Sequence, residues 1–424
     1  MLSMKNSNIE NLLLLPKNFQ LTDVQGPYID RLLDKSPVFS RLLVIEEKIQ
    51  PLLRDMETEG LTLSAAWFTE GLMLLRHQQA EYEQEIRSLV GTKDIFTNDY
   101  EPIKLFLQSN DLPFAKSIED LSKYKNIHPI YPLFAKYKQK NMFINQWGEH
   151  LSECDQTIDG NIVLTGHWKS FSSYTGRITA RNIALTSLPS LMRPYILPPP
   201  GFQIVSLDAS NIELRFLAYY SQCTQIMQMF ANSEDLHAYT GRLIIDTLEI
   251  TGIPPLKARK LGKGFAYSVL YGAGDRTVQT SFQKQNVAVS LADVARLKDG
   301  FYSLFPEIKQ FVMKQSSSPD LLTIFGAVKP MAIFRPTQKR NFACQSSVAV
   351  LVKLLMIIAN KHAKVIHVVH DEVWILAREP TETVAQIIEE FTKKIIRLLP
   401  GFPTQGLLDV EIIGGNINDK QKYS

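Results

Sequence analysis

Two aspartates occupy places where a chain can bring carboxylates together. Ile204-Val-Ser-Leu-Asp208-Ala-Ser-Asn-Ile-Glu213-Leu-Arg215 reads as an apolar strand that delivers Asp208 at its end and then becomes a helix. Val365-Ile-His-Val-Val-His370-Asp371-Glu372-Val-Trp-Ile-Leu376 reads as two strands joined by a tight turn with the acids at the bend. A strand end and a hairpin turn on one sheet edge would place Asp208 beside Asp371, and hard carboxylate oxygens in that number suit Mg²⁺. Surface aspartates at turns are common, so neither segment decides the matter alone. A third segment follows Pro254-Pro255: Arg259-Lys-Leu-Gly-Lys263-Gly-Phe-Ala-Tyr267-Ser-Val-Leu-Tyr271-Gly272, a helix closed by glycine. Its Arg259, Lys263, Tyr267 and Tyr271 recur every fourth residue and form one stripe, two cations followed by two aromatics. The cations suit a triphosphate and the first aromatic a sugar and base, with the positive helix start adding to the attraction. The bland alternative is a solvated basic turn running into two half-buried tyrosines. No Gly-x-x-x-x-Gly-Lys-Ser/Thr occurs, so triphosphate recognition falls to side chains.

Taken with Thr175-Gly-Arg177 upstream, these segments resemble, in order, the characteristic motifs of family A DNA polymerases, the DNA polymerase I type, from about Leu42 to Lys420. The resemblance implies an α+β right-hand fold with an antiparallel palm sheet, a helical thumb and helical fingers. It implies template-directed DNA synthesis on a primer 3′-hydroxyl, with Asp208 and Asp371 as ligands of two Mg²⁺ ions, Mn²⁺ being able to substitute. In-line attack by the primer needs such ions about 3.5 to 4 Å apart, one sharpening the nucleophile and one holding the triphosphate and leaving group. Glu372 matches the family's third, less central carboxylate. Arg259, Lys263 and His237 match the triphosphate contacts, with Lys263 counted among the catalytic groups. The histidine stands in Ser233-Glu-Asp-Leu-His237-Ala-Tyr-Thr240, similar to the family's Asp-x-His-x-x-Thr, although a lone histidine is more often a surface or cap residue. Tyr267 and Tyr271 line the nucleotide; a tyrosine at 267 predicts efficient dideoxynucleotide use. Glu213 matches the glutamate that blocks a ribose 2′-hydroxyl and favours deoxynucleotides. Arg177, Asn341, Gln345 and His370 match DNA contacts, the first reaching the minor groove, whose acceptors are common to all base pairs.

Some positions depart from the family. Leu185-Thr-Ser-Leu-Pro189 replaces Leu-Gln-Asn-Ile-Pro, Thr337 stands where an arginine is usual, and Ser268 replaces a glycine. Gly262 and Gly264 lie inside the predicted helix at a cost of about 1 kcal/mol each relative to alanine, which predicts a mobile fingers helix and lower fidelity.

The elements that must position these groups divide the chain into an N-terminal extension (1–41), palm entry (42–60), thumb (61–151), palm with Asp208 (152–230), fingers (231–330) and palm with Asp371 (331–424). Residues 42–60 read as a helix stopped by Gly60, and Ala65 to Leu89 and Pro129 to Leu151 as two long helices. Lys136, Lys138 and Lys140 on the second are either a solvated face or a phosphate rail. Tyr302-Ser-Leu-Phe-Pro306 is assigned to packing, and Gln315-Ser-Ser-Ser-Pro319 reads as a loop. Leu408-Asp-Val-Glu-Ile-Ile-Gly-Gly-Asn416 resembles the family's closing strand and Gly-Asn turn. About forty residues before Leu42 cannot hold the exonuclease domain of family relatives, so proofreading and the 5′ nuclease are expected to be missing from this polypeptide.

The composition is ordinary for a globular protein: 424 residues, 45% hydrophobic and 21% charged, with a net charge of +3 and a pI near 8.5. That balance permits nucleic-acid binding without demanding it, so local patches must supply the attraction. Cys154, Cys223 and Cys344 lie far apart without metal spacing, which reads as a reduced cytoplasmic protein lacking structural zinc. The run Leu12 to Leu15 is too short to span a bilayer, so no membrane role is expected. The expected partners are primer-template DNA and deoxynucleoside triphosphates, bound by a monomer, with a separate exonuclease or replication accessory protein as further candidates. Two rival functions remain: polymerisation with an RNA template or ribonucleotides, against the second of which Glu213 argues, and a non-catalytic module that only holds primer-template junctions, against which Asp208, Lys263 and Asp371 argue.

Overall fold

A computed structural model describes residues 39–91, 100–115, 117–170, 173–318, 320–330 and 336–413, and the statements below concern these. Most of the expected N-terminal extension and the expected Gly-Asn turn lie outside them. Among the described residues the first helix starts at Phe39, three residues before the predicted Leu42.

Glycine closes the first elements as the sequence suggested. Helix α1 (Phe39–Glu59) stops where Gly60 takes φ +64°, and β1 (Leu61–Leu63) follows. A π-helical turn (Trp67–Leu72) runs into α2 (Met73–Val90), which Gly91 ends in the left-handed region. Next come α3 (Glu101–Ser109), α4 (Ile118–Lys123), α5 (Ile130–Trp147), β2 (Ile162–Leu164), β3 (His167–Lys169), β4 (Thr179–Arg181), β5 (Ile196–Leu197) and β6 (Gln203–Ala209). Seven helices succeed them: α6 (Ile212–Ser221), α7 (Thr224–Ala231), α8 (Leu236–Leu248), α9 (Pro255–Leu270), α10 (Asp275–Lys284), α11 (Leu291–Leu304) and α12 (Pro306–Ser317). The described residues end with β7 (Asp320–Leu322), β8 (Val328–Pro330), α13 (Pro336–His362), β9 (Lys364–Val369), β10 (Glu372–Ala377), α14 (Pro380–Leu398) and β11 (Leu408–Ile413).

The loop predicted from Gln315 is instead the last turn of α12. Ser316 and Ser317 return their hydroxyls to the carbonyls of Val312 and Met313, four residues back, so these polar residues continue the helix rather than break it. The packing reading of Tyr302–Pro306 holds: Phe305 is fully buried with its ring 4.9 Å from that of Phe301.

The chain forms two compact units. One consists of Thr62–Leu164 and Ser190–Ile196. Its helices α2 to α5 share a core of Ile86, Ile103, Leu107, Leu121, Tyr131 and Phe134, all buried. Two of the three lysines on α5 lie on aromatic rings of the same unit, Lys136 over Tyr82 at 5.4 Å and Lys138 over Tyr100 at 4.6 Å. Lys136 is exposed and Lys138 half-buried, so the ring contacts leave both the solvated-face and the phosphate-rail readings open.

The other unit holds the remaining described residues and every candidate site residue. Its centre is a four-stranded antiparallel sheet in the order β11-β6-β10-β9, the α+β arrangement expected. The 27-residue α13 packs on β9, β10, α14, α1 and α6. Its stretch Gln338–His362 is long and apolar enough to cross a membrane, yet 89% of its most apolar window is buried in the protein, which makes it a core helix. Cys223 and Cys344 are buried and Cys154 is partly buried, all as free thiols.

Candidate active site

Strand pairing brings the two aspartates together. Register sets Glu372 of β10 opposite Asp208 of β6, and the Ala209 amide donates to the Asp371 carbonyl at 3.1 Å. The turn between β9 and β10 is two residues long, with His370 at φ +52° as a type II′ hairpin requires of its first loop position. That conformation leaves His370 exposed and turns Asp371 toward the end of β6. The Asp371 side chain is only 22% exposed, its Oδ1 accepts no hydrogen bond, and the nearest cation, Nη2 of Arg177, is 3.9 Å away. Burial pushes the Asp371 carboxyl up to about 6, Arg177 opposes this, and the charges of Glu213 and Asp208 add to it. A divalent cation would relieve that repulsion and occupy the oxygen that lacks a donor. Among the described residues no three His, Cys, Asp or Glu side chains gather into a metal cage. Two carboxylates could hold a divalent cation whose other positions are left to water and phosphate oxygens.

Glu372 has different surroundings. It is 8% exposed, and its Oε1 accepts from the Ser206 hydroxyl and from Trp374 Nε1, the latter at 2.7 Å. These bonds tie Glu372 along the sheet, where it braces the strands carrying Asp208 and Asp371.

Glu213 lies in the first turn of α6 and is 5% exposed. Arg177 donates to one of its oxygens at 2.6 Å and the Tyr271 hydroxyl donates to the other. Burial and the Glu213 charge together push the Tyr271 hydroxyl well above the usual phenol range. Arg177, expected at a DNA groove, is thus held between Glu213 and Asp371, with 32% of its side chain exposed. On α13, Gln345 accepts from the Tyr174 hydroxyl at 3.3 Å, and one turn earlier the buried Asn341 Oδ1 has no hydrogen-bond partner. These two amides share a helix face as their spacing predicted.

The stripe of α9 forms, with Tyr271 as the residue that ends the helix and Gly272 following at φ +61°. Lys263 is exposed. Arg259 is paired: its Nε lies 2.5 Å from Asp235, whose carboxylate also caps α8 through the amides of His237 and Ala238. His237 is 2% exposed, with Nε2 2.7 Å from Asn211 Oδ1, Nδ1 without a partner, and its ring centroid 6.0 Å from that of Tyr267. Burial first, then the nearby charges of Lys263 and Arg259, lower the His237 pKa to about 4. Since the unfolded value is 6.5, the unfolded chain binds the extra proton between those limits. This residue's share of stability, up to about 3 kcal/mol, is present above pH 6.5 and lost as pH falls toward 4. His237→Gln is expected to flatten that part of the stability–pH profile measured by urea unfolding.

Gly262 has a packing reason beside its helix cost. A Cβ there would lie 2.1 Å from the His237 carbonyl oxygen and 2.5 Å from the Gly241 amide, so the glycine permits α8 and α9 to touch backbone to backbone. At Gly264 the nearest atoms are 3.5 Å and 3.7 Å away, ordinary contact distance. Gly262→Ala is expected to cost about 1–3 kcal/mol and raise the KM for nucleotide by displacing His237 from Lys263. Gly264→Ala is expected to be neutral or stabilising by up to about 1 kcal/mol. Paired unfolding and steady-state measurements check both.

Three supporting residues escaped the sequence reading. Asn211, at φ +52°, turns β6 into α6 and meets His237. Lys353, fully buried in α13, donates to Glu46 at 2.7 Å and to the Gly176 carbonyl at 2.8 Å, holding the loop that carries Arg177. Glu46 in turn accepts from Ser170. One signal was available for Lys353: a charge inside the apolar run from Val348 to Ile358 needs a buried partner.

Residues 75–400 match the family model for DNA polymerase family A. The chain is 22% identical over 385 residues to DNA polymerase I of Caldicellulosiruptor bescii, covering 82% of this chain and 44% of that protein. It is 21% identical over 404 residues to the thermostable DNA polymerase I of Thermus aquaticus, covering 87% and 47%. With DNA polymerase I of Bacillus caldotenax it shares 23% identity over 424 aligned residues, covering 91% and 47%. The chain thus spans less than half the length of these relatives. Its fold is similar to the POL domain of Pol1 from M. smegmatis, solved in complex with DNA primer-template and dNTP, with a TM-score of 0.73, 16% identity, and 87% and 70% of the two chains covered.

Proposed function

Because this chain belongs to DNA polymerase family A, we propose that it extends a DNA primer by template-directed addition of deoxynucleotides. The observation that carries this reading is the antiparallel pairing of β6 with β10, which sets Asp208 beside a mostly buried Asp371 whose Oδ1 lacks a hydrogen-bond donor. Asp208 and Asp371 would hold Mg²⁺, which supplies activation of the primer hydroxyl and charge neutralisation on the phosphates. Lys263 and Arg259 bind the triphosphate, Arg259 exchanging its Asp235 partner for phosphate oxygens. The triphosphate charge favours protonation of His237, whose Nδ1–H then donates to the same phosphates while Nε2–H stays on Asn211 Oδ1. Tyr267 and Tyr271, with ring centroids 6.0 Å apart, form the surface for sugar and base. The primer hydroxyl releases its proton to solvent water as its oxygen bonds to the α-phosphorus, the bond from that phosphorus to its bridging oxygen breaks, and pyrophosphate leaves.

Glu213 sets the sugar preference in this reading. Held by Arg177 and Tyr271, it cannot swing aside to admit a 2′-hydroxyl. Arg177, Asn341, Gln345 and His370 contact the primer-template. Single-nucleotide incorporation tests the assignment: wild type is expected to use dNTPs over rNTPs, and Glu213→Ala to lose about 10²-fold of that preference in kcat/KM. Equal preference in both proteins would remove Glu213 from the role.

A further inference from the structure

Tyr174 has no role in the reading above, yet its hydroxyl touches a residue that does. It donates to Oε1 of Gln345 on α13 at 3.3 Å, across 171 residues of chain. The tyrosine is half-buried. Burial pushes its hydroxyl above the usual phenol range, so at neutral pH it keeps its proton and can donate.

The loop that carries Tyr174 is fixed at several points. Ser173 closes the turn, its carbonyl accepting from the Gly176 amide at 3.0 Å and its hydroxyl from the Arg177 amide at 3.0 Å. Thr175 is buried, and Lys353 donates to the Gly176 carbonyl at 2.8 Å. Tyr174 thus meets Gln345 from a backbone anchored on both sides.

A glutamine amide can turn either its carbonyl or its NH₂ group outward, and the groups around it select which. Two hydroxyls make the selection at Gln345. That of Tyr174 occupies Oε1. That of Tyr271 gives its proton to Glu213, so its oxygen is left to accept, and a hydrogen bond from Gln345 partly offsets the rise in its pKa. Turning the amide over would set two oxygens against each other at Tyr271 and point the Tyr174 proton at an NH₂ group. One hydrogen of Nε2 then remains for a ligand. Every base pair offers acceptors in the minor groove, purine N3 and pyrimidine O2, so a single donor there suits all correct pairs. On the polymerase reading above, which supplies the DNA, we infer that Tyr174 is a positioning residue: it holds the Gln345 amide so that Nε2 donates to the minor-groove edge of the bound primer-template. Without the hydroxyl the amide is free to present its carbonyl, which those acceptors repel.

Single-turnover addition by the full chain tests this, with purines near the primer end replaced one at a time by 3-deazapurines, which lack the N3 acceptor. Wild type is expected to slow about tenfold at one such position. Gln345→Ala marks that position by losing the penalty there, which sets apart any effect owed to Arg177. Tyr174→Phe, which keeps the ring, is expected to run about fivefold slower on the natural primer-template and to lose most of the penalty at the same position, with no further loss when Gln345→Ala is added. Full sensitivity in Tyr174→Phe, or a rate loss that adds to that of Gln345→Ala, overturns the inference and leaves Tyr174 a packing residue. An unchanged rate in Tyr174→Phe overturns it too. If no replacement slows wild type, Gln345 reads no acceptor and the inference falls, while extension leaves the polymerase reading standing. Failure of wild type to extend any primer removes both.

Discussion

Asp371→Asn is expected to lower the single-turnover rate of nucleotide addition by about 10³-fold or more, while the folded protein becomes no less stable. The rate follows from the chemistry: a neutral amide is a poor ligand for Mg²⁺, and losing several kcal/mol of charge stabilisation removes about that factor. The stability follows from the sign of the pKa shift. The folded state raises this carboxyl from 3.8 to about 6, so between those limits the folded protein binds the proton more readily than the unfolded chain. Ionisation therefore opposes folding as pH rises through that window, and the amide removes the opposition. Rapid-quench kinetics beside urea unfolding at neutral pH checks both halves. A variant that extends primers within tenfold of wild type would take Asp371 out of the metal site.

Lys353→Met carries the largest expected loss of stability, about 3–5 kcal/mol, because it strands the Glu46 carboxylate in the core. Burial already raises the Glu46 pKa above its usual value, and Lys353 is what keeps the charge tolerable. Adding Glu46→Leu is expected to restore most of the stability, since an apolar pair of similar volume replaces a buried ion pair at little cost. Nucleotide addition should stay low in the double variant. The Gly176 carbonyl still lacks its donor, and the loop bearing Arg177 loses its anchor. Full recovery of both properties would reduce Lys353 to a purely structural residue.

The parts of this site legible in the sequence were those set by local pattern. An apolar run ending in Asp208, a hairpin bent at His370-Asp371, and a four-residue repeat after Pro254-Pro255 each announce where a side chain stands on its own element. The closing glycines of α1 and α9 were equally visible, since both take positive φ. Pairings across long separations were not. Lys353 meets Glu46 across 307 residues, and Glu372 meets Ser206 across 166, with nothing local to either residue that names its partner. The partner of Arg259 was not legible either: it read as a phosphate ligand, and the structure pairs it with Asp235, which begins the neighbouring motif and which phosphate oxygens would have to displace. Gly262 shows the limit of propensity reasoning: its helix cost was readable, whereas its close fit against α8 depends on a second helix.

If Asp208 and Asp371 serve templated DNA synthesis, the nucleotide added must follow the template base. Gel-resolved extension of one labelled primer on four templates that differ only in the first unpaired base tests it most directly, with Mg²⁺ and one deoxynucleotide supplied at a time. Addition of the complementary nucleotide is expected on each template, and none when Mg²⁺ is chelated. Tight binding of the same junctions without addition of any nucleotide would contradict it, and would make the protein a module that holds DNA without copying it.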